Sequence, residues 1–138
     1  AGAEHYLSHY LEMKLLRENR PAILHGAKVG VACIRVARYY EQIRQLTQQQ
    51  VAKRLKTAAL PDRAQEIQRI KAGYGPIAEQ IVAEQAPFLE MSEHSYDRLK
   101  QKILDHWTDI LEIASSVPTS QELVDLTRQV GGPACWWK

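Results

Sequence analysis

The sequence predicts an all-α chain, and three observations carry that prediction. Apolar residues recur at three- and four-residue steps, most clearly Tyr96, Leu99, Ile103, Trp107, Ile110 and Ala114. No stretch shows sustained two-residue alternation with β-branched enrichment, the pattern of a half-buried strand. Helix breakers fall at intervals along the whole chain: Pro21, Pro61, Gly73-Tyr74-Gly75-Pro76, Pro87, Val117-Pro118 and Gly131-Gly132-Pro133. Six or seven helices in a single domain over residues 1–138 are expected.

The first helix is expected from Ala3 to Arg17. Tyr6, Tyr10 and Met13 line one apolar edge, and Leu7, Leu11 and Leu15 another. His5, Ser8, His9 and Glu12 form a polar strip, which is either a solvated face or the lining of a site. Arg20-Pro21 closes this element, because the residue before a proline is steered away from α conformation. The second helix starts near His25 and runs to about Leu46. Its run Val29-Gly30-Val31-Ala32-Cys33-Ile34 is apolar all round, the pattern of a helix buried on every side. Its second half is amphipathic, with Ala37, Tyr40, Ile43 and Leu46 opposite Arg38, Glu41 and Gln45.

Thr47 is placed to cap a third helix, Val51 to Ala59. Pro61 suits the start of a fourth, with Ala64, Ile67 and Ile70 as its apolar stripe up to Lys71. Gly73-Tyr74-Gly75-Pro76 reads as a turn, Ile77–Gln85 as a fifth helix, and Ala86-Pro87-Phe88-Leu89 as a break. Ser92 to Ser115 reads as one long core helix, with His94 and His106 off its stripe and solvated. Thr119-Ser120-Gln121-Glu122 is a capping-box signature, and Gly131 is the expected stop of the last helix.

Composition excludes several classes. A net charge of +2 is too small to point to nucleic acid or an anionic membrane. The apolar run near residue 30 falls well short of the ~20 residues a bilayer crossing needs. No signal peptide is recognisable, and a start at Ala1-Gly2-Ala3 without methionine suggests a processed or cut N-terminus. Cys33 and Cys135 lie far apart, so a disulfide framework is not expected, in keeping with a reducing cytoplasm. Cys33 is expected to be a buried thiol. Trp136-Trp137 is expected to pack back on its own core or to mark a partner surface.

The chemistry concentrates in three histidines. His5 and His9 are four residues apart, so a helix projects them from one face. His25 stands just past Pro21 at the head of the second helix, followed by Gly26, which permits close approach of a ligand. Two imidazoles from one helix and one from the next can converge on a point, and neutral imidazole is the commonest protein metal ligand. The alternative for such a pair is a core histidine at His9 and a surface one at His5. Glu4 or Glu12 could orient an imidazole, and without thiolates such a site would not separate zinc, nickel and ferrous iron sharply.

The segments Gly2-Ala3-Glu4-His5-Tyr6-Leu7-Ser8-His9 and Leu24-His25-Gly26-Ala27-Lys28-Val29-Gly30 resemble the sn-glycerol-1-phosphate dehydrogenase family. These are metal-dependent polyol dehydrogenases with a dehydroquinate-synthase-like fold, and the bacterial branch is the most similar. Val117-Pro118, Glu122-Leu123 and Val130-Gly131-Gly132-Pro133 are similar too, less distinctively. The resemblance implies that His5 and His25 bind a divalent metal and that His9 lines the active site as its catalytic imidazole. A basic group must meet the substrate phosphate; Arg17, Arg20, Lys28 and Arg35 are the local candidates, and Lys28 is taken as the substrate-binding one.

By the same resemblance the family's nucleotide-binding α/β half, which also supplies a metal-ligating aspartate, is absent from these 138 residues. No glycine-rich phosphate loop occurs in the chain. NAD(P) would therefore be used only where a separate α/β nucleotide-binding chain or domain supplies it. The other implied partners are a small phosphorylated substrate and a homo-oligomer, with a place in phospholipid biosynthesis. The isolated chain is expected to be inactive. The alternative is a free-standing helical binding module derived from that domain, with no dehydrogenase activity.

Overall fold

The computed structural model describes residues 2–135. Its elements are α1 Ala3–Arg17, α2 His25–Arg44, α3 Gln48–Thr57, α4 Arg63–Tyr74, a 3₁₀ turn Gly75–Ile77, α5 Ala78–Glu84, α6 Ala86–Leu89, α7 Glu93–Asp105, α8 Trp107–Ser116 and α9 Ser120–Gln129. No strand occurs among the described residues, so the chain is all-α. Among them, no helix is long and apolar enough to cross a membrane. Trp136-Trp137, read above as a packed or partner-facing pair, lies outside the described residues.

Local chemistry explains where the helices stop. α1 ends at Arg17, three residues before Arg20 of the Arg20-Pro21 step. Asn19 adopts a left-handed φ of 51°, and Arg20 N–H donates to Leu15 O while Asn19 N–H donates to Leu16 O. That pair of bonds is a Schellman stop with asparagine at the left-handed position, so the turn rather than the proline terminates the helix. Gly131 does the same for α9 at φ 74°, as expected, with Gly132 N–H donating to Thr127 O. Thr47 and Thr119 each close a full capping box, with Gln50 and Glu122. Asp62, not Pro61, caps α4, and Ser92 caps α7.

Three segments differ from the sequence reading. α4 continues through Gly73 and Tyr74, and the chain turns only at Gly75, whose φ of 56° and ψ of −121° suit a residue without Cβ. Ala86-Pro87-Phe88-Leu89 is a helical turn rather than a break, because Pro87 lies in the first turn, where its missing N–H costs nothing. The stretch Ser92–Ser115 is two helices divided at His106, which sits at φ −104° and ψ 20°. Backbone bonds run on both sides of the division, from His106 N–H to Lys102 O and from Ile110 N–H to His106 O. A hydrophobic period cannot register an interruption that leaves the bonding ladder so nearly continuous.

Contacts divide the chain into two compact units, Ala1–Gln45 with Leu111–Lys138, and Leu46–Ile110. In the first, α2 packs against α1 and α9. Leu15, Val31, Ala32, Ile34, Ala37 and Ala114 are buried there. α2 is not buried on every side: Val29, Gly30 and Cys33 are half-exposed, and a Cβ built on Gly26 or Gly30 would meet nothing within 4 Å. Of the polar strip of α1 only Ser8 is buried, while His9 stays exposed. Ser8 is 0% exposed and Lys28 of α2 3%, while Tyr6 and Leu16 stand out in solvent. Ser8 needs no external partner, because its hydroxyl donates to His5 O at 2.7 Å.

α9 is tied to α2 by polar contacts. Ser120 N–H donates to Glu41 Oε1 at 2.6 Å, and Arg44 Nη2 donates to Val117 O at 3.0 Å. Thr119 N–H and hydroxyl both donate to Glu122 Oε2, and these bonds, the backbone one first, hold the Glu122 carboxyl below its usual range. A pKa lowered in the folded state stabilises above the unfolded value and is lost as pH falls through the folded one. Acidification below the ordinary carboxylate range is therefore expected to release the α9 N-terminus early, seen as faster amide exchange at Leu123 and Val124. Glu122→Gln should remove that acid step, and unchanged exchange across it in the native chain would refute the assignment.

In the second unit, α3 packs on α7 and α4 on α5. Val51, Ala78 and Trp107 are its buried apolar side chains. Lys100 Nζ donates to Ala58 O at 3.0 Å, and Gln48 Nε2 to Leu104 O at 3.3 Å. His94 and His106 are exposed, as their places off the stripe predict, and His106 Nδ1 faces Asp109 Oδ2 at 3.0 Å.

Candidate three-histidine site

The polar strip of α1 meets the first turn of α2. His5 and His9, one helical turn apart, bring their Nε2 atoms to 2.9 Å. Their ring centroids lie 4.5 Å apart, and the His25 ring stands 5.6 Å from each. Short α1, its asparagine-closed end and the seven-residue connection 18–24 are what let an imidazole from the head of α2 return to the first turns of α1. His5 is half-buried, and His9 and His25 are exposed, so the cluster opens to solvent.

Behind His9 stands a buried lysine. Lys28 Nζ donates to Glu12 Oε1 in a very short ion pair. The other oxygen, Glu12 Oε2, lies 3.5 Å from His9 Nδ1. The Lys28 hydrogen bond lowers the Glu12 carboxyl pKa most; burial opposes this, and the charge of Lys28 and the contact with His9 add to the lowering. Cys33 is half-exposed rather than fully buried, and burial, with the Glu4 carboxylate adding, raises its pKa. It remains a thiol, a poor ligand and a poor nucleophile.

The expected site residues are thus placed as follows. His5, His9 and His25 come together. Lys28 reaches the same region, but its ammonium is committed to Glu12 and shielded from solvent. Arg20 lies 3.8 Å from Glu18, and Arg17 and Arg35 are exposed. The Lys28–Glu12 pairing was not read from the sequence. A signal for it exists: Glu12 follows His9 by three residues and Lys28 follows His25 by three, so each charged group shares a helix face with a histidine.

Among the described residues, no three His, Cys, Asp or Glu side chains are arranged to hold a metal ion as they stand. The donor chemistry nevertheless fits a cation. Neutral imidazole is an ordinary ligand of zinc, nickel and iron, and the His5 and His25 rings stand 5.6 Å apart, centre to centre. With His9 Nδ1 turned to a carboxylate, the 2.9 Å between the Nε2 atoms of His5 and His9 is an N–H···N hydrogen bond between the two rings.

The chain is thus an all-α protein that gathers three imidazoles from two successive helices at an open surface. The relatives are more particular. Over 43 residues, 31% of this chain, it is 51% identical to glycerol-1-phosphate dehydrogenase (NAD(P)+) of Geobacillus thermodenitrificans. Over 45 residues, 33% of the chain, it is 47% identical to the enzyme of the same name from Bacillus subtilis. The Halalkalibacterium halodurans enzyme of that name is 51% identical over 41 residues. The matched stretch spans only 11% of the first two relatives' own length. The chain therefore resembles the glycerol-1-phosphate dehydrogenases over about a third of its length. No protein-family profile matches it, and no solved structure does.

Proposed function

We propose that this chain carries the metal-binding helical part of a glycerol-1-phosphate dehydrogenase site, with His5 and His25 as ligands of a divalent cation, zinc, nickel or iron. The observation that carries the reading is the meeting of three imidazoles from α1 and α2. The names of the relatives add NAD(P) and glycerol 1-phosphate as cofactor and substrate class. When bound, such a cation supplies Lewis-acid chemistry, lowering the pKa of a substrate hydroxyl or polarising a carbonyl.

The chain's own residues do the rest. His5 and His25 offer neutral imidazole lone pairs. His9 Nε2, beside His5, takes the hydroxyl proton in one direction and returns it in the other. A basic group among Arg17, Arg20 and Arg35 meets the substrate phosphate. Opening of the cluster to solvent leaves the face on which an α/β nucleotide-binding chain or domain would close, bringing NAD(P). The region 1–45 with 111–138 and the region 46–110 act together as one helical domain in this reading.

Metal content is the test. After exposure to zinc, nickel or ferrous iron and dialysis, the chain should retain one cation. His5→Ala and His25→Ala should each weaken retention by about tenfold or more. Full retention in both variants overturns the ligand pair. With NADPH, divalent metal and dihydroxyacetone phosphate but no partner, the chain should show no change in nicotinamide absorbance, and turnover would overturn the need for a second half. A second reading, a helical binding module without dehydrogenase activity, is favoured by the commitment of Lys28 to Glu12 rather than to an open substrate pocket. It predicts retention of the cation with no turnover even when an α/β partner is supplied.

A further inference from the structure

We propose that Lys28 is a positioning residue: buried behind the cluster, it anchors Glu12 so that Glu12 holds His9 in its Nδ1–H tautomer and turns His9 Nε2 toward His5. The role assigned to that Nε2 atom rests on the reading above. The geometry runs through four groups in one line of contact. Lys28 is 3% exposed and its ammonium donates to Glu12 Oε1. Glu12 Oε2 stands 3.5 Å from His9 Nδ1, and His9 Nε2 stands 2.9 Å from His5 Nε2.

The chemistry of the donors decides the tautomer. A carboxylate only accepts, so the ring nitrogen facing it carries the proton. In a neutral His9 that leaves the lone pair on Nε2, the atom aimed at the centre of the cluster. Glu12 alone is a weak orienter, because it is a half-exposed side chain with three rotatable bonds. The buried ammonium restricts it to one rotamer, leaving Oε2 directed at the ring. Carboxylate–histidine pairs of this kind set tautomer and ring orientation at metal sites generally.

The test is the nitrogen NMR signature of His9 in the metal-free chain, at a pH where the imidazoles are neutral. The native chain should show protonated-type Nδ1 and lone-pair-type Nε2. In Lys28→Met the minor tautomer should rise by about fivefold to tenfold, the loss of one hydrogen-bond preference. Lys28→Arg should keep most of the native pattern. The double variant Glu12→Ala/Lys28→Met leaves no buried charge unpaired, so it keeps the fold and should show the same tautomer shift. An unchanged His9 signature in folded Lys28→Met, or in the double variant, overturns the proposal. Failure of the cation reading looks different: the native chain retains no metal, while the His9 signature still depends on Lys28.

Discussion

Glu12→Ala is expected to destabilise the first unit by about 2 kcal/mol. Breaking one side of a fully buried ion pair costs roughly 3–5 kcal/mol, because the remaining charge is left unpaired away from water. Here Lys28 is the buried member and the Glu12 side chain is 37% exposed, so solvent screens part of the pair and the cost is smaller. Urea denaturation followed by circular dichroism reads it directly. Replacing both residues, as Glu12→Ala/Lys28→Met, should recover most of the loss, because the isolated ammonium is gone. If the single and double variants unfold alike, the buried charge is not what Glu12 serves, and the pairing is incidental.

Trp107→Ala should cost about 3–5 kcal/mol, the usual range for deleting a buried large aromatic. Trp107 is 6% exposed and opens α8. Its indole N–H has no hydrogen-bond partner among the described residues. That detail makes a second substitution informative. Trp107→Phe leaves a smaller cavity and removes an unsatisfied buried donor, two terms of opposite sign. Its cost should be well below half that of the alanine variant. A phenylalanine variant as unstable as the alanine one would mean the N–H is satisfied after all, by ordered water, and contributes to the fold.

The two substitutions also separate what was legible in the sequence from what was not. Trp107 stands at a helical step from Ile103 and Ala114, so its burial follows from periodicity alone. The same periodicity concealed the break at His106, since an apolar stripe carries no record of a single non-helical residue. Caps were legible at Thr47, Thr119 and Gly131, because a cap is a contest between a side chain and its own backbone within four residues. The end of α1 at Arg17 was legible, but not its cause: Asn19 enters the left-handed region less readily than glycine, and only the backbone angle shows that it does.

At the candidate site the division is similar. That His5 and His9 share a face follows from the helical repeat. Their meeting with His25 needed a specific approach of α1 to α2, which spacing permits without requiring. The polar strip of α1 could equally have faced water throughout; packing buried Ser8 and left His9 exposed. The pairing of Lys28 with Glu12 was hidden for the same reason, since a lysine's partner depends on which carboxylate the fold brings to it.

The amino-acid order by itself determined an all-helical chain, most of its helix ends, the resemblance to the glycerol-1-phosphate dehydrogenases and the shared helix face of His5 and His9. Those depend on contacts within a few residues, where chain geometry leaves little freedom. Only the tertiary structure decided that the imidazoles meet, that Lys28 grips Glu12 behind them and that the second helix stays open along Gly26 and Gly30. Each of these joins residues sixteen or more positions apart or depends on a neighbour's absence, and such outcomes are selected by packing, which no local pattern encodes.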